Sequence, residues 1–310
     1  MRKVMVMAIV SIVLLAGFSL AKTFDVAVLL PGSVEFFSVE RRGMDAAAAE
    51  FGLNLIYADA EWDAGKQLSQ VENFIARRVD LILLCAADNM ALRTAVIRAN
   101  EANIPLITFT NTVGTDPKGE YPGVISHIGR SDIEAGQIQA RIAEEILGAG
   151  PANIVLIEGN PGTAPQRMRE EGFLSIANKY PGWNIIEKRP IDGWTKEGTL
   201  AFMEAFLQSG RKVDLIACQW WSAAIAASMA LKERGITGVY VLGLEYAKEL
   251  IPYLESGEVY ATTYYSVVDE GYMAVETAYK YLTGQPVPKF VGNEQVVVTK
   301  ENMHEFEPEM

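Results

Sequence analysis

The residues able to do chemistry in this sequence are aromatic rings and fork- or carboxylate-bearing side chains placed just after apolar runs. Phe36-Phe37 follow a Pro-Gly turn, Trp194 sits in a turn after Pro190, and Trp220-Trp221 come directly after a run ending at Cys218. Rings so placed can lie on the apolar face of a small ligand, bringing large rigid contact area at little entropic cost. Trp194 facing Phe36 or Phe37 would form a slot; the plainer role for each ring is core packing. Gln219 and Glu245 also follow the ends of apolar runs. A reacting centre is harder to assemble. The chain has two histidines, His127 and His304, and no P-loop, G-x-S-x-G or H-E-x-x-H pattern. Gly159-Asn160-Pro161-Gly162 lacks dinucleotide-binding spacing. His127 reads as structural. The residues point to binding, with no enzyme activity and no cofactor or metal.

These side chains need a scaffold, and the hydrophobic pattern supplies one. Short apolar runs at 24–30, 54–57, 79–85 and 104–109 alternate with helical patterns at about 36–51, 65–77 and 89–103. The order then restarts, with runs at 154–157, 183–186, 213–218 and 239–242 and helices at 166–180, 196–209 and 222–234. Continuous apolar strands alternating with helices predict parallel sheets covered on both faces. Val79-Asp80-Leu81-Ile82 recurs as Val213-Asp214-Leu215-Ile216, 134 residues later, so one unit is used twice. The fold class is α/β, with two doubly wound, Rossmann-like lobes. Such sheets bind ligands at the carboxyl ends of their strands, and two facing lobes make a cleft. Cys85 and Cys218 fall in separate sheets and are expected to stay unpaired.

The first 21 residues are set apart from this scaffold. Arg2-Lys3, the apolar stretch Val4–Phe18 and the small residues Ser19 and Ala21 are the parts of a secretory signal peptide, with cleavage expected after Ala21. An uncleaved anchor over Val4–Ala21 is the alternative. Cleavage removes two basic residues and no acid from a chain already at net charge -12. The protein is expected to be periplasmic or extracytoplasmic, and its acidity excludes nucleic acid as a partner.

Several ordered pieces carry a family resemblance. They are Phe36-Phe37, Ala102–Thr108, Ser126–Gly129, Gly162-Thr163 through Arg167 to Gly172-Phe173, Asp192-Gly193-Trp194, Ala261-Thr262, Asp269–Gly271 and Leu282–Gln285. In this order and spacing the chain resembles the periplasmic ribose-binding protein family, the type I sugar-binding components of ABC importers, over nearly all of residues 24–300. The resemblance implies lobes 22–127 plus 266–293 and 128–265 plus 294–310. Three crossings join them, near Ser126–Gly129, Tyr264–Val267 and Gly292–Glu294, and the lobes close on one ligand for delivery to a membrane permease. Arg167 occupies the matching position of the family's ligand arginine, whose planar fork donates to adjacent hydroxyls. Arg169 is expected to point elsewhere, toward solvent. Glu245 corresponds to a hydroxyl-accepting aspartate. Thr110-Asn111 stand where ribose binders carry Asp-Arg, Tyr265 where glutamine is usual, and Glu35 where proline is common. Glu35 either supplies a missing carboxylate or is a solvated turn residue. The expected site is therefore Phe36, Phe37, Thr110, Asn111, Arg167, Trp194, Gln219, Trp220, Glu245 and Tyr265, with Glu35 beside it. The rewritten polar shell disfavours ribose and leaves other sugars or polyols, with a nucleoside or signalling furanose as the non-sugar alternative. The partner is an ABC permease or a chemoreceptor, and the chain is expected to be a monomer.

Overall fold

The computed structural model describes residues 23–310; the expected signal segment lies outside the described residues. The first sheet is built from β1 (Asp25–Leu30), β2 (Asn54–Asp59), β3 (Leu81–Leu84), β4 (Leu106–Phe109) and β5 (His127–Gly129). Their connections run through α1 (Glu35–Phe51), α2 (Ala64–Arg77) and α3 (Arg93–Glu101). The chain then crosses into α4 (Asp132–Leu147) and a second sheet of β6 (Ala152–Glu158), β7 (Trp183–Pro190), β8 (Leu215–Cys218), β9 (Tyr240–Leu242) and β10 (Ala261–Tyr264). Here the connections are α5 (Ala164–Ala177), α6 (Lys196–Gln208), α7 (Trp221–Glu233) and the short α8 (Ile251–Ser256). It returns through α9 (Val267–Leu282) and β11 (Phe290–Gly292) and ends after β12 (Val296–Thr299).

The strand orders are β11-β5-β4-β3-β1-β2 and β12-β10-β9-β8-β6-β7, the same arrangement twice. All pairings are parallel except β10 with β12, which is antiparallel. Strand residues alternate between two buried faces. Val26, Val28 and Leu30 pack toward Met44 of α1 and Ala274 of α9, while Ala27 and Leu29 pack toward Val71 and Phe74 of α2. In the second lobe Ile154 and Leu156 face Phe173 of α5, and Val155 and Ile157 face Met203 of α6. Burial on both faces is why the runs are continuous rather than alternating.

The repeat seen in the sequence has a physical counterpart. Asp80 accepts the backbone N–H of Asp25 at 2.9 Å, and Asp214 accepts that of Asn153 at 2.7 Å, each tying a central strand to the start of its neighbour. Each lobe also has one helix pair in backbone contact. A Cβ on Gly43 would lie 1.8 Å from the Val268 carbonyl oxygen, and one on Gly136 would lie 2.0 Å from that of Arg169. Only glycine permits these α1–α9 and α4–α5 crossings.

One boundary falls later than expected. Strand β5 pairs with β4 and β11 through Gly129, so residues 128 and 129 belong to the first sheet and the crossing follows at Arg130-Ser131. The tail also does more than complete the second lobe. The Glu309 carboxylate accepts the N–H groups of Val267 and Val268 at 2.6 and 2.9 Å, while Arg42 donates to the Glu309 carbonyl at 2.8 Å and the Lys248 N–H donates to Met310 at 2.8 Å. It thus binds both lobes beside the hinge.

Candidate functional site

The carboxyl ends of the two sheets face each other across a cavity of about 300 Å³. Phe36, Phe37, Trp62, Thr110 and Asn111 line it from the first lobe; Arg169, Trp194, Trp220, Trp221 and Glu245 line it from the second; Arg130 rises from the crossing between them. The lobes touch at the rim, where the Asn89 N–H donates to the Gly162 carbonyl at 3.2 Å.

The backbone is strained where it meets the cavity. Trp62, Thr110, Trp194 and Glu245 are non-glycine residues with φ of 63, 53, 57 and 71°, and all four line it. Such conformations cost of order 1–3 kcal/mol each and gather at functional sites. Each outer tryptophan also rests on a glycine. A Cβ on Gly32 would lie 2.3 Å from the Trp62 ring, and one on Gly159 would lie 1.9 Å from Trp194. Trp194 meets Trp220 edge-on at 5.3 Å, and Phe37 lies 6.3 Å from Trp62. The cavity walls are thus aromatic on both sides.

The floor is ionic. Arg169 Nε donates to Asp132 Oδ1 at 2.9 Å, Nη2 donates to Glu245 Oε1 at 3.2 Å, and Nη1 donates to the Gln219 carbonyl. Arg130 lies 3.5 Å from Glu245, 3.5 Å from Glu270 and 3.8 Å from Asp132, with its guanidinium over the Tyr265 ring at 4.5 Å. Burial disfavours the Arg130 charge, but Tyr265 and the three carboxylates outweigh it, and its pKa is raised. Beneath it, Thr110 Oγ1 lies 2.5 Å from Glu40 and 2.7 Å from Glu270.

The expected residues divide in two. Glu35, Phe36, Phe37, Thr110, Asn111, Trp194, Trp220 and Glu245 line the cavity. Four of these have polar atoms engaged within the protein: the Thr110 hydroxyl by the carboxyls, the Asn111 amide nitrogen, which donates to the Ala86 carbonyl at 2.9 Å, the Trp220 indole N–H, which donates to Ser222 Oγ at 2.8 Å, and Glu245 Oε1, which accepts from Arg169. Three expected residues lie elsewhere. Arg167 is exposed on the outer side of α5, in a shallow groove with Glu170 and Glu171. Arg169 takes the place expected of it, because residues two apart on a helix point to nearly opposite sides. The signal was present in the sequence, since Arg169 shares its helix face with Gly172, Phe173 and Ile176, all buried. Gln219 is framework: its amide accepts the Gly159 N–H at 2.9 Å and donates to the Gln166 carbonyl at 3.0 Å. Tyr265 is buried behind Arg130. Trp62 and Arg130 were missed, and neither stands in a motif. His127 is buried against Thr108 and Phe290, and burial lowers its pKa to about 4.

Residues 26–286 match the periplasmic binding protein domain. The chain belongs to the periplasmic binding protein family. This is a family of binding proteins whose members work in the periplasm with ABC transporters. A ribose import binding protein of Bacillus subtilis (strain 168) is 28% identical over 256 residues, covering 83% of this chain and 80% of the relative. A xylitol-binding protein of Mycolicibacterium smegmatis is 25% identical over 269 residues, covering 86% and 75%. Among solved structures, an ABC transporter solute-binding protein from Bacillus halodurans with bound myo-inositol superposes with a TM-score of 0.83 at 25% identity, covering 91% and 96% of the two chains. One from Actinobacillus succinogenes with bound D-allose superposes at 0.79 with 27% identity, covering 92% and 100%. Both the two-lobed α/β fold and the resemblance read from the ordered motifs are thereby established.

Proposed function

We propose that this chain is the extracytoplasmic solute-binding component of an ABC importer and closes on a monosaccharide or related polyol for delivery to a permease. The observation that carries this reading is the cavity, with aromatic walls from both lobes over a floor holding two guanidiniums and Glu245. Rings suit the C–H faces of a sugar ring, and Arg and Glu suit its hydroxyls as donors and acceptor. The cavity, about 300 Å³, has room for a molecule of monosaccharide size. The ribose, xylitol, myo-inositol and D-allose named with its relatives and structural neighbours support the class. Ribose is disfavoured, because Thr110 and Asn111 stand where the family carries Asp-Arg, and the Thr110 hydroxyl and the Asn111 amide nitrogen are bonded within the protein. Export by a cleaved signal peptide belongs to the same reading. No described helix is long and apolar enough to cross a membrane.

A ligand touching both lobes shifts the population toward the closed form. The test is calorimetric titration of residues 22–310, unfolded and refolded to strip any bound solute, against pentoses, hexoses, deoxy sugars and inositols. One-to-one binding, with compaction in small-angle scattering at saturation, is expected. A folded protein that binds nothing in the panel, or binds without compaction, overturns the proposal.

A further inference from the structure

The α1–α9 crossing brings together two fully buried carboxyls, Glu40 and Glu270, with the hydroxyl of Thr110 between them. A hydroxyl carries one hydrogen and can donate to only one acceptor. Two contacts of 2.5 and 2.7 Å to two carboxyl oxygens therefore need a second hydrogen, and it must sit on a carboxyl. Arg130 Nη1 is 3.5 Å from Glu270 Oε1, and the Asn293 side chain also favours the Glu270 anion. Glu40 faces no cation so directly. Hence the hydrogens run from Glu40 Oε1–H to Thr110 Oγ1, and from Thr110 Oγ1–H to the Glu270 carboxylate, which holds Arg130.

We propose that Glu40 is a carboxylic acid at neutral pH and a positioning residue for Arg130, acting through Thr110 and Glu270 to keep that guanidinium on the cavity floor. Arg130 is divided between lobes. Glu270 holds it from the first, while Glu245 and Asp132 hold it from the second. A neutral Glu40 leaves this division in place. An ionised Glu40 adds a charge on the first-lobe side, draws Arg130 away from Glu245 and loosens the floor. The groups facing Glu40 agree with this assignment: Glu270 from α9, Thr110 after β4, Cys85 after β3, and Arg130 from the crossing. Burial and then the Glu270 charge push the Glu40 carboxyl well above the usual range.

The proton itself is independent of any ligand; its effect on Arg130 at the cavity rests on the solute-binding reading. Two measurements keep these apart. Infrared spectra of the unliganded Glu158→Gln protein at pH 7, in water and deuterium oxide, should show a buried carboxylic acid carbonyl band that a further Glu40→Gln removes and a further Glu245→Gln does not; Glu158 is replaced because its own carboxyl, pushed up to about 7, would add a band there. Absence of that band, or its survival in Glu40→Gln, overturns the proposal. Titrations then use whichever of D-allose, xylitol, myo-inositol and ribose binds the wild type best. Glu40→Gln keeps a donor toward Thr110 and should hold affinity within about twofold, whereas Glu40→Ala leaves buried groups unpaired and should lose about tenfold or more. Wild-type affinity should fall on alkaline titration and that of Glu40→Gln should not. Equal losses in the Gln and Ala variants, or parallel pH profiles, refute the positioning role. If none of the four solutes binds, that failure counts against the solute reading and the infrared result still decides the proton.

Discussion

Replacing Arg169 by Met tests the assignment of the floor most sharply. Arg169 is only 2% exposed and makes hydrogen bonds to Asp132, Glu245 and the Gln219 carbonyl. Met keeps the length of the stem and removes the charge. Asp132 and Glu245 then remain buried with only Arg130, at 3.8 and 3.5 Å, to compensate them. Breaking a buried ion pair from one side costs about 3–5 kcal/mol. Arg130 recovers part of that, so the lower end, about 3 kcal/mol, is expected, which is a large share of a typical stability of about 5–15 kcal/mol. Urea unfolding followed by tryptophan fluorescence measures this, with Trp194 as a local reporter 5.6 Å from the guanidinium. Affinity for the solute should also fall by at least about tenfold, because Glu245 loses the group that orients it. Arg167→Ala is the control and should change stability by less than about 0.5 kcal/mol, as exposed substitutions do. A loss below about 1 kcal/mol for Arg169→Met, or a larger effect on binding from Arg167→Ala, would refute the assignment.

Trp62→Ala and Trp194→Ala should each weaken solute binding by about ten- to hundredfold in calorimetry, and unchanged constants would remove those walls from the site. Gly32→Ala should weaken binding without touching the ligand, because its Cβ would stand 2.3 Å from the Trp62 ring; unaltered affinity would show that the ring's position is immaterial. Burial and then Glu170 push the Glu158 carboxyl up to about 7, so the unfolded chain loses this proton first and stability falls as pH rises from 4.5 toward 7. Glu158→Gln should flatten that part of the melting-temperature profile, and an unchanged slope would refute it. Cys85 and Cys218 are free and buried in separate lobes, so reducing agent should leave the unfolding midpoint where it is.

Much of the protein is local and therefore legible in order along the chain. Strand and helix runs, the duplicated Val-Asp-Leu-Ile element and the two-lobe plan follow from hydrophobic periodicity, which one residue's neighbours in sequence suffice to define. Candidates in the segments that leave the strands' carboxyl ends, such as Phe36, Asn111, Trp220 and Glu245, land in the cavity because that edge of a parallel sheet is where such segments emerge, whereas Gln219, next to β8, turns into the framework. What depends on rotation about a helix axis or on partners distant in sequence needed the tertiary structure. The phase of α5 selects Arg169 over Arg167. The packing of α1 on α9 sets Glu40 against Glu270, 230 residues apart, and makes one proton of the pair. Arg130 and Trp62 become site residues only when the second lobe folds over the first. Sequence thus determined the elements and their edges, while side-chain direction and charge pairing were decided by which helices meet, since those contacts join residues that no local pattern relates.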